Sequence, residues 1–261
     1  MNIFKYKNLI KTIAITDFKL KYEGSVLGYL WSLIKPLLMF GVLLFVFTNV
    51  FKIGSTIPNY PVYLLTGIVV WSFFTEATAT LMGSIAGKAH IIRKVYFPRI
   101  VLPIANSITS ILVFLANLVI VAVFMIFFHV APSANIVFIP LLFIELYILI
   151  LGVGFFLSAL YVKFRDVAHI WDVFIQAMFY GTPILYSPSA LPEFAQKILM
   201  LNPMAQIIQD FRSILITPET LTAADIYTMK YLWIPYVLPI VMLIIGYLVF
   251  NKMAARFAED V

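Results

Sequence analysis

Four long stretches of this chain carry no Asp, Glu, Lys or Arg: those between Lys52 and Glu76, Arg99 and Glu145, Asp172 and Glu193, and Lys230 and Lys252. Each is at least as long as the roughly 20 residues a helix needs to cross about 30 Å of hydrocarbon. The pattern predicts an all-α membrane protein with six spanning helices, near 33–51, 60–84, 100–128, 136–160, 168–186 and 232–250. Residues 129–135 hold the Pro132, Ser133 and Asn135 of a turn, which divides the longest charge-free run into two crossings.

The segments between these runs have their own periodicities. Residues 4–22 are too polar to span. Wound as a helix, they gather Tyr6, Leu9, Ile10, Ile13 and Leu20 on one side and set Lys7, Lys11 and Lys21 roughly opposite, with Phe18 out of place on the basic side. Such a helix either lies along the membrane interface, its lysines near anionic head groups, or is a solvated basic tail ahead of the first span. Residues 17–36 then lead through Gly24, Gly28, Trp31 and a Lys35-Pro36 step into the first span. Between the second and third spans, Pro98 and Pro103 interrupt the chain beside Lys88, His90, Arg93 and Lys94, which predicts a short basic helix bent against its neighbours. From spacing alone that elbow is either a dock for a soluble partner or an anchor loop. Between the fifth and sixth spans, Pro183, Pro188, Pro192, Pro203 and Pro218 bracket apolar pieces at 194–201 and 204–216 that are too short to cross. These read as short interfacial or re-entrant helices, or as a loop on the outer head groups.

A chain that is 63% hydrophobic and only 11% charged needs the bilayer as part of its solvent. Of its 18 basic residues, 14 fall with the two termini and the loops near 85–99 and 161–167, leaving Lys52, Lys197, Arg212 and Lys230 on the other side. The positive-inside rule therefore places both termini in the cytoplasm, and the net charge of +6 reflects membrane topology instead of a nucleic-acid surface. Glu193, Asp210, Glu219 and Asp225 fall on the outer side. With no cysteine, and with His90, His129 and His169 far apart, no metal-ligand cluster is visible. There is no G-x-x-x-x-G-K-[ST] phosphate loop, no HExxH and no Ser/His/Asp arrangement, so any uphill transport draws its energy from a partner or an ion gradient. Glu76 and Glu145 lie inside predicted spans and must face protein, water or a polar substrate. Trp71, Phe73, Phe74, Tyr180 and Tyr186 belong either to packing and interfacial belts or to a path on which the apolar faces of sugar rings stack.

Several short motifs recur in a recognisable order. They are Asp17-Phe18-Lys19-Leu20-Lys21-Tyr22 followed by Ser25-Val26-Leu27-Gly28-Tyr29-Leu30-Trp31 and Pro36, then Tyr96-Phe97-Pro98 with Leu102-Pro103. Phe164-Arg165-Asp166-Val167, Thr182-Pro183-Ile184-Leu185-Tyr186 and Asn202-Pro203-Met204 complete the series. Together they resemble the membrane subunits of ABC-2-type polysaccharide exporters over nearly the whole chain. The resemblance implies a homodimeric channel in a bacterial cytoplasmic (inner) membrane, both termini cytoplasmic, worked by two copies of a separate phosphate-loop ATPase that binds the ATP and Mg. This chain itself then needs no cofactor and is not an enzyme. The implied cargo is a glycan on a polyprenyl carrier, of the O-antigen, capsular or teichoic-acid kind.

Mapped by motif, residues 1–32 would form a cytoplasmic interfacial helix, 33–250 the transmembrane domain and 251–261 a short tail. Lys88, His90, Arg93, Lys94, Tyr96, Phe97 and Pro98 would supply the coupling and gate helix. Asp17, Lys19, Lys21, Tyr22, Trp31, Arg165 and Asp166 would border the entry, and the proline-rich outer segment would form re-entrant helices. Trp71, Phe73, Phe74, Glu76, Tyr180 and Tyr186 are the expected channel lining. An ABC-2 exporter of a drug or lipid is the nearest rival. A proton-coupled transporter using Glu76 or Glu145 is weakened by the lack of an inverted repeat. An intramembrane glycosyltransferase or ligase is disfavoured by the lack of a carboxylate-rich soluble loop.

Overall fold

A computed structural model describes residues 3–55, 57–95, 97–255 and 257, and its regular structure among them is helical. In chain order the α-helices are α1 (Lys7–Tyr22), α2 (Trp31–Phe45), α3 (Tyr60–Met82), α4 (Ala89–Lys94), α5 (Val101–Phe127), α6 (Ile139–Lys163), α7 (Val167–Tyr180), α8 (Glu193–Met200), α9 (Pro203–Leu215), α10 (Ala223–Ile226) and α11 (Trp233–Ala254). Five stretches are long and apolar enough to cross a membrane: Gly28–Val50, which contains α2, then α3, α5, Ala134–Lys163, which contains α6, and α11. Local chemistry sets their starts. Asn59, at φ +50°, takes the left-handed conformation that Asn tolerates, and a proline follows in the first turn of α3.

Two clusters hold the bundle. The larger centres on α3, whose apolar residues are buried all round and meet α5, α6 and α9. The smaller, at what we term the basal end, gathers Ile13 of α1, Ile85, Phe97, Val101, Ala159 and Val162 of α6, and Phe250 and Phe257. The C-terminal ends of α6 and α11 thus lie together, so these two helices run parallel and residues 164–232 must carry the chain back to the far end. They touch at Gly152 and Gly246, where a Cβ on either would overlap the other helix's backbone. That close approach is the reason for glycine at this crossing.

The predicted crossing at 168–186 differs. Its helix, α7, stops at Tyr180 after 14 residues, about 21 Å at 1.5 Å per residue. Gly181 and Pro183 stop it locally, and the carbonyls that follow are taken by side chains from elsewhere, as described below. The pieces expected at 194–201 and 204–216 are helices α8 and α9 within a residue or so at each end. α9 packs among α3, α6 and α11 and is buried along most of its length. It starts where Asn202 accepts a hydrogen bond from the Met204 N–H (3.0 Å) with Pro203 in the first turn, so the Asn-Pro-Met motif is a helix start.

Candidate functional site

The basal end brings together residues from two of the sequence-derived groups. α1 lies against α5, with Ile13 and Ala14 buried there and Tyr6, Leu9 and Ile10 packed on the basal cluster. This is the apolar face expected from its periodicity, except at the last turn. There Leu20 is exposed, while Asp17 and Lys21, one turn apart, point into the bundle. Asp17 accepts a charged hydrogen bond from Lys88 of the elbow, and Lys88 also donates to Asn106 Oδ1 of α5 at 3.0 Å. Lys21 is paired with Glu76 of α3. Lys21 was expected on the basic outer face. It turns inward, where it neutralises the one acidic residue of α3, Glu76.

These residues line a cavity of about 440 Å³ between α1, α3, α5 and the start of the elbow, walled by Asp17, Lys21, Thr80, Ser84, Lys88 and Asn106 among others. Burial pulls the Lys88 ammonium below the usual lysine range, and the Asp17 carboxylate opposes that shift. The Lys88–Asp17 pair is the better shielded, with side chains 13% and 25% exposed against 35% and 33% for Lys21–Glu76. Lys88, just before α4, thus ties the start of the elbow to α1.

The other candidate residues distribute as follows. Phe97 is buried in the basal cluster, Pro98 is half-buried, and His90 and Lys94 are exposed. Tyr96 and the side chains of Tyr22 and Arg93 lie outside the described residues. Lys19, Trp31 and Asp166 are exposed, and the Arg165 guanidinium sits over the Tyr161 ring at 4.9 Å. Trp71, Phe73 and Phe74 are buried in the chain's own core, Phe73 stacking on Phe114 at 4.3 Å between centroids. Tyr180 is exposed, and half-buried Tyr186 donates its hydroxyl to the Tyr180 carbonyl at 3.1 Å.

The far end contains a buried lock centred on Arg212 of α9, a residue that entered the sequence reading only as a charge count. Arg212 is completely buried. It donates to the carbonyls of Tyr63 (3.0 Å), Pro183 and Ile184 (2.8 Å) and to Gln209 Oε1 (3.0 Å), while its guanidinium lies 3.4 Å from the Tyr63 ring centroid. The next two carbonyls, of Leu185 and Tyr186, accept from the hydroxyls of Tyr60 (3.0 Å) and Tyr63 (3.1 Å). Four successive carbonyls after α7 are thus satisfied by side chains, which allows non-helical backbone to run through the protein interior. Asn202 completes the lock, donating to Thr182 Oγ1 at 3.0 Å and so tying the Asn-Pro-Met motif to the Thr-Pro-Ile-Leu-Tyr motif. The one available signal was an arginine inside an amphipathic stretch with no acidic residue three or four positions away.

Fold and site together define a polytopic helical membrane protein in which a basal polar cleft and a far-end lock are joined through α3. Residues 8–216 match the model of the ABC-2 type transporter family. The chain belongs to that family. It is similar to the O-antigen export system permease protein RfbA of Klebsiella pneumoniae, at 35% identity over 97% of this chain and 94% of that protein. It is also similar to the RfbA of Myxococcus xanthus (28% identity, 81% and 82% of the two chains) and more distantly to the polysialic acid transport protein KpsM of Escherichia coli (21%, 78% and 79%).

Proposed function

We propose that this chain is the membrane-spanning permease subunit of an ATP-driven exporter that carries a lipid-linked polysaccharide, of the O-antigen kind, across a bacterial inner membrane. The observation that carries this reading is the match to an O-antigen export permease along almost the full length of both proteins; the polysialic acid transport protein matches more weakly. Energy comes from a separate ATPase, with two permease and two ATPase copies in the working unit and ATP and Mg on the ATPase. α2 leaves Leu38, Val42 and Phe45 more than half exposed, an apolar surface for lipid and for the second permease copy.

In this reading the chain crosses six times. α7 covers about 21 Å as helix, and the largely buried turn at 181–186 that follows it completes the fifth crossing of a core of about 30 Å. α8 and α9 are then re-entrant from the outer face, and the basal end, with its lysines, is cytoplasmic by the positive-inside rule. Residues 1–32 form the interfacial helix, 33–250 the transmembrane domain and 251–261 the tail. Closure of the ATPase pushes on the elbow at 86–98, Lys88 passes the movement to α1 through Asp17, and Lys21 passes it to α3 through Glu76. Lysines on the exposed side of α1 attract the phosphate of the carrier lipid.

Deletion of the chain in its own bacterium tests the reading. Polymer is expected to accumulate unexported in the cytoplasm, and wild-type chain to return it to the surface. Unchanged surface polymer after deletion would refute the cargo assignment, and failure of a phosphate-loop ATPase to co-purify would refute the partner.

A further inference from the structure

A different flank of α1 from the one that carries Asp17 and Lys21 borders a second cavity, a groove of about 570 Å³ against Ile108 and Leu112 of α5. Its lining shares no residue with that of the polar cleft. The floor is apolar, with Ile15 and Phe18 of α1 facing the α5 pair, and the polar rim is Lys7, Lys11 and Lys19. Among the described residues no acidic side chain lines the groove, and none of the ion pairs uses these three lysines. Lys7 and Lys11 stand four apart, so their like charges repel along one ridge of the helix, a cost that a bound anion removes. Ile15 and Leu112 are 45% and 52% exposed, which leaves hydrocarbon open beside that charge. Phe18, which looked out of place among lysines on the helical wheel, therefore belongs to a surface built for a ligand with both an anionic and a hydrocarbon part. A corner between an interfacial helix and a spanning one is bathed by lipid, and an anionic head group above an acyl chain satisfies both halves of it.

We propose that the groove between α1 and α5 is a binding site for one anionic glycerophospholipid, its phosphate held by Lys7, Lys11 and Lys19 and an acyl chain laid on Ile15, Phe18, Ile108 and Leu112. The proposal rests on the reading that places the basal end at the cytoplasmic leaflet, where the surface is negative. From Lys7 to Lys19 the helix rises about 18 Å, close to the roughly 15 Å of hydrocarbon in one leaflet, half of a core of about 30 Å. That length fits an ordinary acyl chain. A polyprenyl tail, longer and methyl-branched, outgrows it, so carrier lipid drawn by the lysines does not settle there. The seated phospholipid touches both helices and so stabilises the contact of α1 with α5.

The test uses the purified full chain, stripped of lipid in detergent, by native mass spectrometry and thermal unfolding. Added phosphatidylglycerol is expected to be retained at one per chain and to raise the unfolding midpoint. Phosphatidylethanolamine, with the same acyl chains and no net charge, should be retained at least several-fold less. The combined change K7A, K11A and K19A is expected to weaken phosphatidylglycerol retention by about five-fold per lysine. L112W crowds the groove and leaves every lysine in place; it should abolish the retained lipid, which general attraction to basic charge would not do. Equal retention of the two phospholipids by the wild type overturns the proposal even if a variant fails to fold. So does retention of phosphatidylglycerol unchanged in the lysine variant or in L112W, and so does its displacement by equimolar undecaprenyl phosphate, which would make the groove a carrier-lipid seat. Neither polymer nor ATPase enters this assay, so its failure leaves the exporter reading to the deletion strain, and failure there leaves the lipid result standing.

Discussion

Lys88 and Lys21 both pair with carboxylates, yet their environments rank them differently. The Lys88–Asp17 pair is the less exposed and is extended by Asn106, so K88A leaves two polar groups without their donor. Its expected cost is about 1.5–3 kcal/mol, the range for hydrogen bonds to charged groups. K21A, at a pair one-third exposed, is expected to cost about 0.2–1 kcal/mol. Thermal midpoints of the purified variants check the order, and the swap D17K with K88D should recover part of the larger loss. Arg212 sits at the extreme of the same scale. R212L orphans several buried acceptors at once, so about 3 kcal/mol or more should be lost; R212K keeps the charge but not the fork that reaches Tyr63, Pro183 and Ile184 together. Both variants are expected to fall in membrane yield, R212L below R212K.

At the scale of elements, the parallel pair α6–α11 depends on Gly152 and Gly246. Each meets the other helix's main chain, which cannot yield as a flexible side chain can. G246L is expected to destabilise by at least about 1–3 kcal/mol, the usual penalty for overpacking, while the same change at exposed Gly41, with open space around it, should be nearly silent. Denaturation of the two variants in the same detergent compares them directly. Charge-free length and proline placement made α3, α5, α6, α8, α9 and α11 legible in the sequence, because those signals are local. The end of α7 had local signs in Gly181 and Pro183, but the course of the backbone beyond it was not legible. Its following carbonyls are held by Arg212, Tyr60 and Tyr63, which stand far away along the chain, and no window on 168–186 contains them. The inward turn of Lys21 was hidden for the same reason: a helical wheel of α1 cannot see Glu76.

For the whole molecule, the basal cleft and the far-end lock are connected by rigid packing along α3, from the Glu76 end to Tyr63. The motifs that looked separate in sequence meet in space: residues 17–22 with the start of the elbow, and residues 182–186 with Asn202. Exposed His90 and Lys94 leave one side of the elbow open for a soluble partner. The measurement that bears most directly on coupled export is ATP-driven translocation of a lipid-linked O-antigen polymer in proteoliposomes holding this chain and its ATPase. Wild-type chain should move polymer only with hydrolysable ATP, and K88A should keep ATPase binding while translocation falls at least several-fold, with the charge swap restoring part of it. Translocation by K88A at the wild-type rate would contradict the coupling route, and polymer transport independent of ATP would contradict the account as a whole.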